Sequence, residues 1–432
     1  MGVGPIPLHL LADTALVDGT TGRLSIGGVD LLGLAAEIGT PAFVYDEEHL
    51  RRRCREAVSA WGSGVAYASK AFLCKAMAAL AHEEGMWIDV ASGGELHVAL
   101  AAGVPASRLV LHGNNKSVEE LAAARTGGVG RIVVDSFEEL ARHEALHAID
   151  GRSPEVLLRL NPGVEVHTHE YIATGQTDSK FGFGVAAGAA AEAVARATAS
   201  PAVTLVGAHA HIGSQVYDLD AFEKAVEVLA AFTAPLGLPE LVVGGGLGVA
   251  YVEGEPTMSI TEWALHVRDA CARAGLEVEG DRPAVRLAAE PGRSIVASAA
   301  LTLYTVGTIK ELPGIRTYVS VDGGMSDNPR PVLYGSGYEA FLPRSPGAER
   351  PRTVTIVGKH CESGDLLVRD AQVPADLAIG DILATPVTGA YGHSMASNYN
   401  KVPRPPVVFV RDGSWRVVVR RETYQDLLRL DL

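Results

Sequence analysis

The stretch AYASKAF, residues 66–72, sets one lysine, Lys70, among small and apolar residues. Burying an ammonium without a partner is costly, so a lysine here asks for a reason. A desolvated lysine has a lowered pKa and can act as an amine nucleophile or form a Schiff base. Further along, His209 and His211 stand in HAHIGSQ, Gly244, Gly245 and Gly246 open GGGLG, and Glu290 and Arg293 bracket EPGR. Consecutive glycines after a strand expose backbone N–H groups that can cradle a phosphate.

Each feature has a plainer explanation when taken alone. A lone lysine at a strand end is usually solvated. GGGLG does not complete G-x-G-x-x-G, because Val249 stands where the third glycine is needed, so a dinucleotide site is not indicated and a bare glycine turn would suffice. The two histidines could be satisfied core imidazoles, and EPGR a loop with a surface ion pair. The combination is harder to dismiss. A lysine, a phosphate cup and an acidic partner for a ring nitrogen are what a pyridoxal phosphate enzyme requires.

The elements that would position these residues follow from periodicity. Eight apolar runs, VAYASK (65–70), WIDVAS (87–92), LVLHGN (109–114), RIVVDS (131–136), VLLRLNPG (156–163), LVGAHAHIG (205–213), LVVGGGLG (241–248) and VRLAAEPGR (285–293), have the aliphatic content of buried strands. Helical patterns lie between them. GELHVALAAG ends on Gly103 as a C′ residue, and SVEELAAARTGG and SFEELARHEALH each open on a Ser-x-x-Glu capping box. The Ala-rich stretch at 186–202 reads as a surface helix in a longer insertion.

Eight strand–helix repeats fit an α/β fold built as a (β/α)8 TIM-type barrel, with a doubly wound open sheet as the alternative. Nearly every run ends in a polar or glycine residue, and chemistry at many strand ends favours the barrel. After Arg293 short strands and turn signals take over, from LTLYTVGTIKEL to WRVVVRRE, and mark a mostly β domain of barrel or sandwich type. The hairpin-like LVDGTTGRLSIGG near the N-terminus is expected to join it. The expected division is a barrel over 36–300 and a β domain from 1–35 plus 301–432.

Bulk properties narrow the function classes. The 432 residues are 47% hydrophobic and 20% charged, and the formal net charge of −14 disfavours nucleic acid as a partner. No apolar run has the roughly 18 to 20 residues of a membrane span. The N-terminus lacks the early basic residues of a secretory signal, so the cytoplasm is the expected location. Cys54, Cys74, Cys271 and Cys361 form no C-x-x-C pair, which points away from a metal centre or disulfide framework. All but Cys361 read as small buried hydrophobes.

YASKA, HIGSQ, GGGLG, EPGR, DGGMSDNPRPVLYG, CESGD and GAYGHSMASNYN together resemble the motif set of the diaminopimelate decarboxylases, fold-type III, alanine-racemase-like pyridoxal phosphate enzymes. The resemblance spans about residues 40 to 410. EPGR is shared with related decarboxylases, whereas HTHEYIATGQTDSKFG (167–182) and MSDNPRPVLYG are more specific to this branch.

The resemblance implies pyridoxal 5′-phosphate as cofactor and assigns roles. Lys70 would bond to the cofactor aldehyde, His211 stack on its ring, and Glu290 pair with its ring nitrogen. Ser214, Gly244, Gly245, Gly246, Pro291, Gly292, Arg293 and Tyr391 would lie at its phosphate, and Asp89 also belongs to the cofactor-binding set. Arg293, Arg330, Tyr334 and Tyr391 would meet the substrate, the first three at a distal carboxylate, with Glu362 at a distal ammonium. Cys361 would come from the partner subunit of a homodimer as the proton donor. An ionised Glu290 keeps the ring nitrogen protonated, which favours decarboxylation over the racemisation implied by an arginine there. The implied reaction converts meso-2,6-diaminopimelate at its D-centre to L-lysine and CO2. Alternatives are a decarboxylase of the same fold acting on ornithine, arginine or a specialised amino acid, and a catalytically silent homologue. HTHEYIATGQTDSK is the candidate for a mobile segment over the site.

Overall fold

The computed structural model describes residues 4–164, 179–217, 219–276 and 285–432. Residues 167–178 of the candidate mobile segment lie outside the described residues. The chain divides into two compact units, one of Arg53–Gly248 and Thr257–Ser294, the other of Met1–Arg52, Val249–Pro256 and Ile295–Leu432.

The first unit is the barrel. Its strands are β1 (Ala66–Ala68), β2 (Trp87–Val90), β3 (Leu109–Leu111), β4 (Arg131–Val134), β5 (Glu155–Asn161), β6 (Thr204–His209), β7 (Glu240–Val242) and β8 (Arg286–Ala288). They pair in sequence order, all parallel. The end strands join, with Ala66 N donating to Ala289 O at 3.0 Å and Ala68 N to Pro291 O at 3.1 Å. That closure rules out the open sheet.

Side chains alternate across a strand, so each strand feeds every second residue into the barrel. Ala66, Val110, Val133, Leu157, Val242 and Ala288 form the apolar middle. Trp87 packs against them, with the guanidinium groups of Arg108, Arg131 and Arg286 5.6 to 5.7 Å from its ring. Glu240 pairs with Arg131 and Arg286, so two of these three cations meet a carboxylate. Two residues beyond the middle, towards the strands' C-terminal ends, the same alternation delivers His112, Asp135, Arg159, Gly244 and Glu290. The period that builds the core thus also builds the roof.

The helices obey their caps, with two differences from expectation. Helix Val118–Gly127 has the full Ser117/Glu120 capping box, and Gly103 has φ +88° just past helix Gly93–Ala101. At helix Phe137–Asp150, Ser136 accepts from Glu139 N, but the Glu139 carboxylate turns inward to Lys116 Nζ at 2.8 and 3.0 Å. Both partners are buried, and pairing a buried ammonium outweighs completing an exposed cap. The Ala-rich segment is also no insertion. Helix Ala189–Ala199 is the crossover from β5 to β6, and it buries Ala190, Ala193 and Ala197 on one face.

The second unit is mostly β. Its main sheet runs Leu366–Val373, Arg352–Val357, Arg316–Val321, Ala300–Leu312, Ala42–Asp46, Val407–Arg411 and Ser414–Val419, with Ile382–Pro386 also paired to Ala300–Leu312. The N-terminal hairpin is present, with Leu16–Val17 antiparallel to Leu24–Ile26. Asp18 holds its turn by accepting from the N–H groups of Thr20 and Thr21.

Candidate active site

Lys70 follows β1 in a single 3-10 turn, Ser69–Ala71. Ser69 and Ala71 are fully buried, whereas Lys70 is exposed. The expectation that the strand would desolvate the amine is therefore corrected. The apolar neighbours anchor the turn's backbone, helped by Tyr67 Oη donating to Phe72 O at 2.6 Å, and leave the amine open. Gly292 packs against this turn so closely that an added Cβ would sit 2.9 Å from both the Cβ and the O of Ala68.

Within the roof, Glu290 is 5% exposed and lies between two imidazoles. His209 Nε2 is 2.9 Å from Oε2. His112 Nε2 is 3.0 Å from Oε1, close enough for charge contact although its angle falls short of a hydrogen bond. The two rings meet edge to face at 4.9 Å. Burial works against ionisation of Glu290, but His112 and His209 outweigh it and hold the carboxyl well below the usual carboxylate range. Asp89, 3.6 Å from His112 Nε2, goes the other way. Burial, reinforced by the Glu290 charge, pushes it up to about 7 against the pull of His112 and Lys70. His112, His209 and Glu290 are also spaced as metal donors could be. Both Nε2 atoms, however, already face the carboxylate.

His211 accepts a hydrogen bond at Nδ1 from Gly245 N at 3.1 Å, so that nitrogen carries no proton. Burial, with Lys70 and Arg159 nearby, lowers its pKa well below the ordinary value. The ring is a neutral imidazole.

The glycine run is required by packing. Gly244 has φ +70° and Gly246 φ +111°. A Cβ on Gly245 would overlap Glu290 O, and one on Gly246 would overlap Gly213 O. Glu290 N donates to Gly244 O at 2.7 Å and Val216 N to Gly246 O at 2.9 Å. Arg293 Nη2 donates to Ser214 Oγ at 2.8 Å, and Pro291 supplies the O that receives Ala68 N. YASKA, HIGSQ, GGGLG and EPGR therefore share one rim. An open amine, a glycine run whose backbone no Cβ can crowd and an ionised carboxylate together fit pyridoxal phosphate. We expect Gly245→Ala to weaken cofactor binding at least about tenfold and to cost roughly 1–3 kcal/mol by overpacking. Fluorescence titration with the cofactor and denaturant melts would measure the two effects.

The remaining candidates lie in the β unit. Arg330, at the start of helix Arg330–Tyr334, is 4% exposed. Its Cζ sits 4.1 Å over the Tyr251 ring and 5.6 Å from the Tyr338 ring centroid, and Nη1 donates to Tyr338 Oη at 2.6 Å. Its Nε is buried with no partner, and no carboxylate pairs with it among the described residues. Tyr334 and Tyr391 are half-buried, and Tyr391 holds φ +60°, a conformation a bulky side chain adopts only when its surroundings impose it.

Cys361 and Glu362 are exposed on a turn that the Asp365 carboxylate organises, accepting from Met325 N at 2.6 Å and His360 N at 2.8 Å. Cys361 N donates to Asn400 Oδ1 at 3.2 Å, and Tyr399 Oη to Glu362 Oε2 at 3.3 Å. The other three cysteines are buried. Sequence reasoning missed His112, Tyr251 and Tyr338. Strand alternation could have found His112, two residues past inward-facing Val110; nothing in type or spacing marked the tyrosines.

A family model for the pyridoxal binding domain of pyridoxal-dependent decarboxylases matches residues 47–297. The chain is similar to a diaminopimelate decarboxylase of Bacillus subtilis, 48% identical over 422 residues and 95% of each chain, and to one of Mycobacterium tuberculosis, 47% identical over 433 residues with the same coverage. Among solved structures, a diaminopimelate decarboxylase from M. jannaschii in complex with L-lysine superposes with a TM-score of 0.88 at 32% identity, covering 97% of this chain and 98% of that one. One from Helicobacter pylori complexed with L-lysine gives a TM-score of 0.83 at 32% identity, covering 93% and 99%.

Proposed function

The chain belongs to the diaminopimelate decarboxylases within the pyridoxal-dependent decarboxylase family, and from that membership we propose how its residues divide the work. The reaction removes CO2 from the D-centre of meso-2,6-diaminopimelate and leaves L-lysine, the last step of lysine biosynthesis. Bound pyridoxal phosphate supplies the electron sink for the pair left behind when CO2 departs.

Lys70 would hold the cofactor by its aldehyde carbon, the open amine at the end of β1 being placed for that bond. The neutral His211 ring would pack against the cofactor ring. Glu290 would keep a proton on the ring nitrogen, and Asp89 would complete the cofactor-binding set. Ser214, Gly244, Gly245, Gly246, Pro291, Gly292, Arg293 and Tyr391 take the phosphate side. Arg330, with Tyr334 and Arg293, holds the distal carboxylate, and Glu362 the distal ammonium.

The observation that carries the substrate assignment is Arg330, a buried cation with no anion of its own among the described residues. Such a charge needs a partner, and a distal carboxylate supplies one in bidentate geometry. Ornithine has no carboxylate for it. Turnover of meso-diaminopimelate against LL-diaminopimelate, ornithine and arginine tests this. The meso isomer should be preferred by at least about 10²-fold in kcat/KM, and equal or better use of ornithine would overturn the assignment.

Cys361 of one subunit would deliver the proton that takes the place of CO2 in the site of its partner, which would make the functional unit a homodimer. Lys70→Ala and Cys361→Ala proteins, each nearly inactive, should recover activity when mixed and allowed to exchange subunits, to about a quarter of wild type if half the dimers are hybrid with one intact site each. Exchange without recovery would sink the shared site. No described helix is long and apolar enough to cross a membrane, and the cytoplasm is the proposed location.

A further inference from the structure

Glu290 could reach ionisation in several ways, because charged groups face it from several strands. Asp89 of β2 opposes its charge and Arg159 of β5 favours it. Arg159, however, is directed elsewhere, lying 3.6 Å from Asp135 and 4.2 Å over the Phe181 ring. His211 spends Nδ1 on Gly245 N. Among the described residues, only two groups bring a ring nitrogen within 3.0 Å of the carboxylate, His209 at Oε2 and His112 at Oε1. Both are buried, and they brace each other edge to face.

We infer that His112 and His209 are positioning residues: a two-imidazole clamp that orients the Glu290 carboxylate and keeps it ionised for the cofactor's ring nitrogen. The inference rests on the reading that Glu290 faces that nitrogen. A carboxylate only accepts hydrogen bonds, so His209 must carry its proton on Nε2. Its Nδ1 is buried without a partner among the described residues, which a neutral ring tolerates and which an Nδ1-protonated tautomer would turn into an orphan donor. The tautomer is thereby fixed, and with it the direction of the hydrogen bond. The same orphan argues against a metal ion, since a metal on Nε2 would force the proton onto Nδ1, where no acceptor waits. His112 Nε2 stands 3.0 Å from the other oxygen, so rotating the carboxyl group would give up that proximity as well as the His209 hydrogen bond.

The test reads the carboxylate directly. In protein labelled with carbon-13 at glutamate side-chain carboxyls, the Glu290 signal is identified by its absence in Glu290→Gln and followed against pH without cofactor. His112→Leu/His209→Leu should raise its pKa by at least about one unit, a tenfold loss of ionisation at a fixed acidic pH. His209→Gln, which returns an N–H donor near the Nε2 position, should recover most of the shift that His209→Leu alone produces. A signal unmoved in the leucine variants overturns the clamp, and the single variant serves if the double one does not fold. A second readout separates this result from the reading beneath it. Holoenzyme carrying nitrogen-15 in the cofactor ring reports that nitrogen's protonation. If Glu290→Gln leaves the ring signal unchanged while the histidine variants shift the carboxyl, the pairing of Glu290 with the ring fails and the clamp stands. If Glu290→Gln moves the ring signal and the histidine variants move neither, the clamp fails and the pairing stands.

Discussion

Lys70→Ala protein is expected to lose the visible absorbance of bound cofactor and at least about 10³-fold of its decarboxylase activity, the scale of removing a covalent nucleophile. Its fold should survive. Lys70 is exposed, and the buried Ser69 and Ala71 on either side fix the turn, so its stability should stay within about 0.5 kcal/mol of wild type, as for other surface substitutions. Lys70→Arg is expected to fare no better, because a guanidinium keeps the charge and cannot form the bond. Borohydride reduction followed by peptide mapping provides the decisive readout. Wild type should carry the cofactor on the peptide containing Lys70, and the variant should carry none. Reduced cofactor fixed to another lysine in wild type would show that the assignment is wrong.

Arg330→Met is expected to lower kcat/KM for meso-diaminopimelate by about 10²-fold, roughly 2.7 kcal/mol, as fits the loss of a bidentate charge-assisted pair. Methionine approximates the length of the stem and gives the Tyr251 ring a sulfur contact in place of the cation 4.1 Å above it. D-Lysine is the informative control, since it offers the same reacting centre without a distal carboxylate. Its slow turnover should change only a few-fold. An equal loss on both substrates would mean that Arg330 supports the structure and does not read the carboxylate.

Much of the architecture was legible because each strand carries its own signal. Val110, Val133 and Leu157 sit in runs too apolar and too short for anything but buried strands, and the runs from LTLYTVGTIKEL to WRVVVRRE each became a strand of the second unit. The motif set likewise led to the rim where Lys70, Gly244–Gly246 and Glu290 meet. Three things were not legible, the last two because they depend on neighbours distant in sequence. The exposure of Lys70 depends on a one-turn 3-10 helix that ends the strand early. The diversion of Glu139 from its cap depends on Lys116, which only the folded barrel brings alongside. Tyr251 and Tyr338, 87 positions apart in the numbering, became the faces of the Arg330 site only once the β unit was assembled.

The central claim is that this chain decarboxylates one end of a two-ended amino acid while holding the other. It is tested most directly by running the purified protein with pyridoxal phosphate and meso-diaminopimelate in deuterium oxide. Equal amounts of CO2 and L-lysine are expected, with a single solvent deuterium on the carbon that bears the ε-amine and none at the α-carbon. D-Lysine as the product, or no product alongside ready turnover of ornithine, would contradict it.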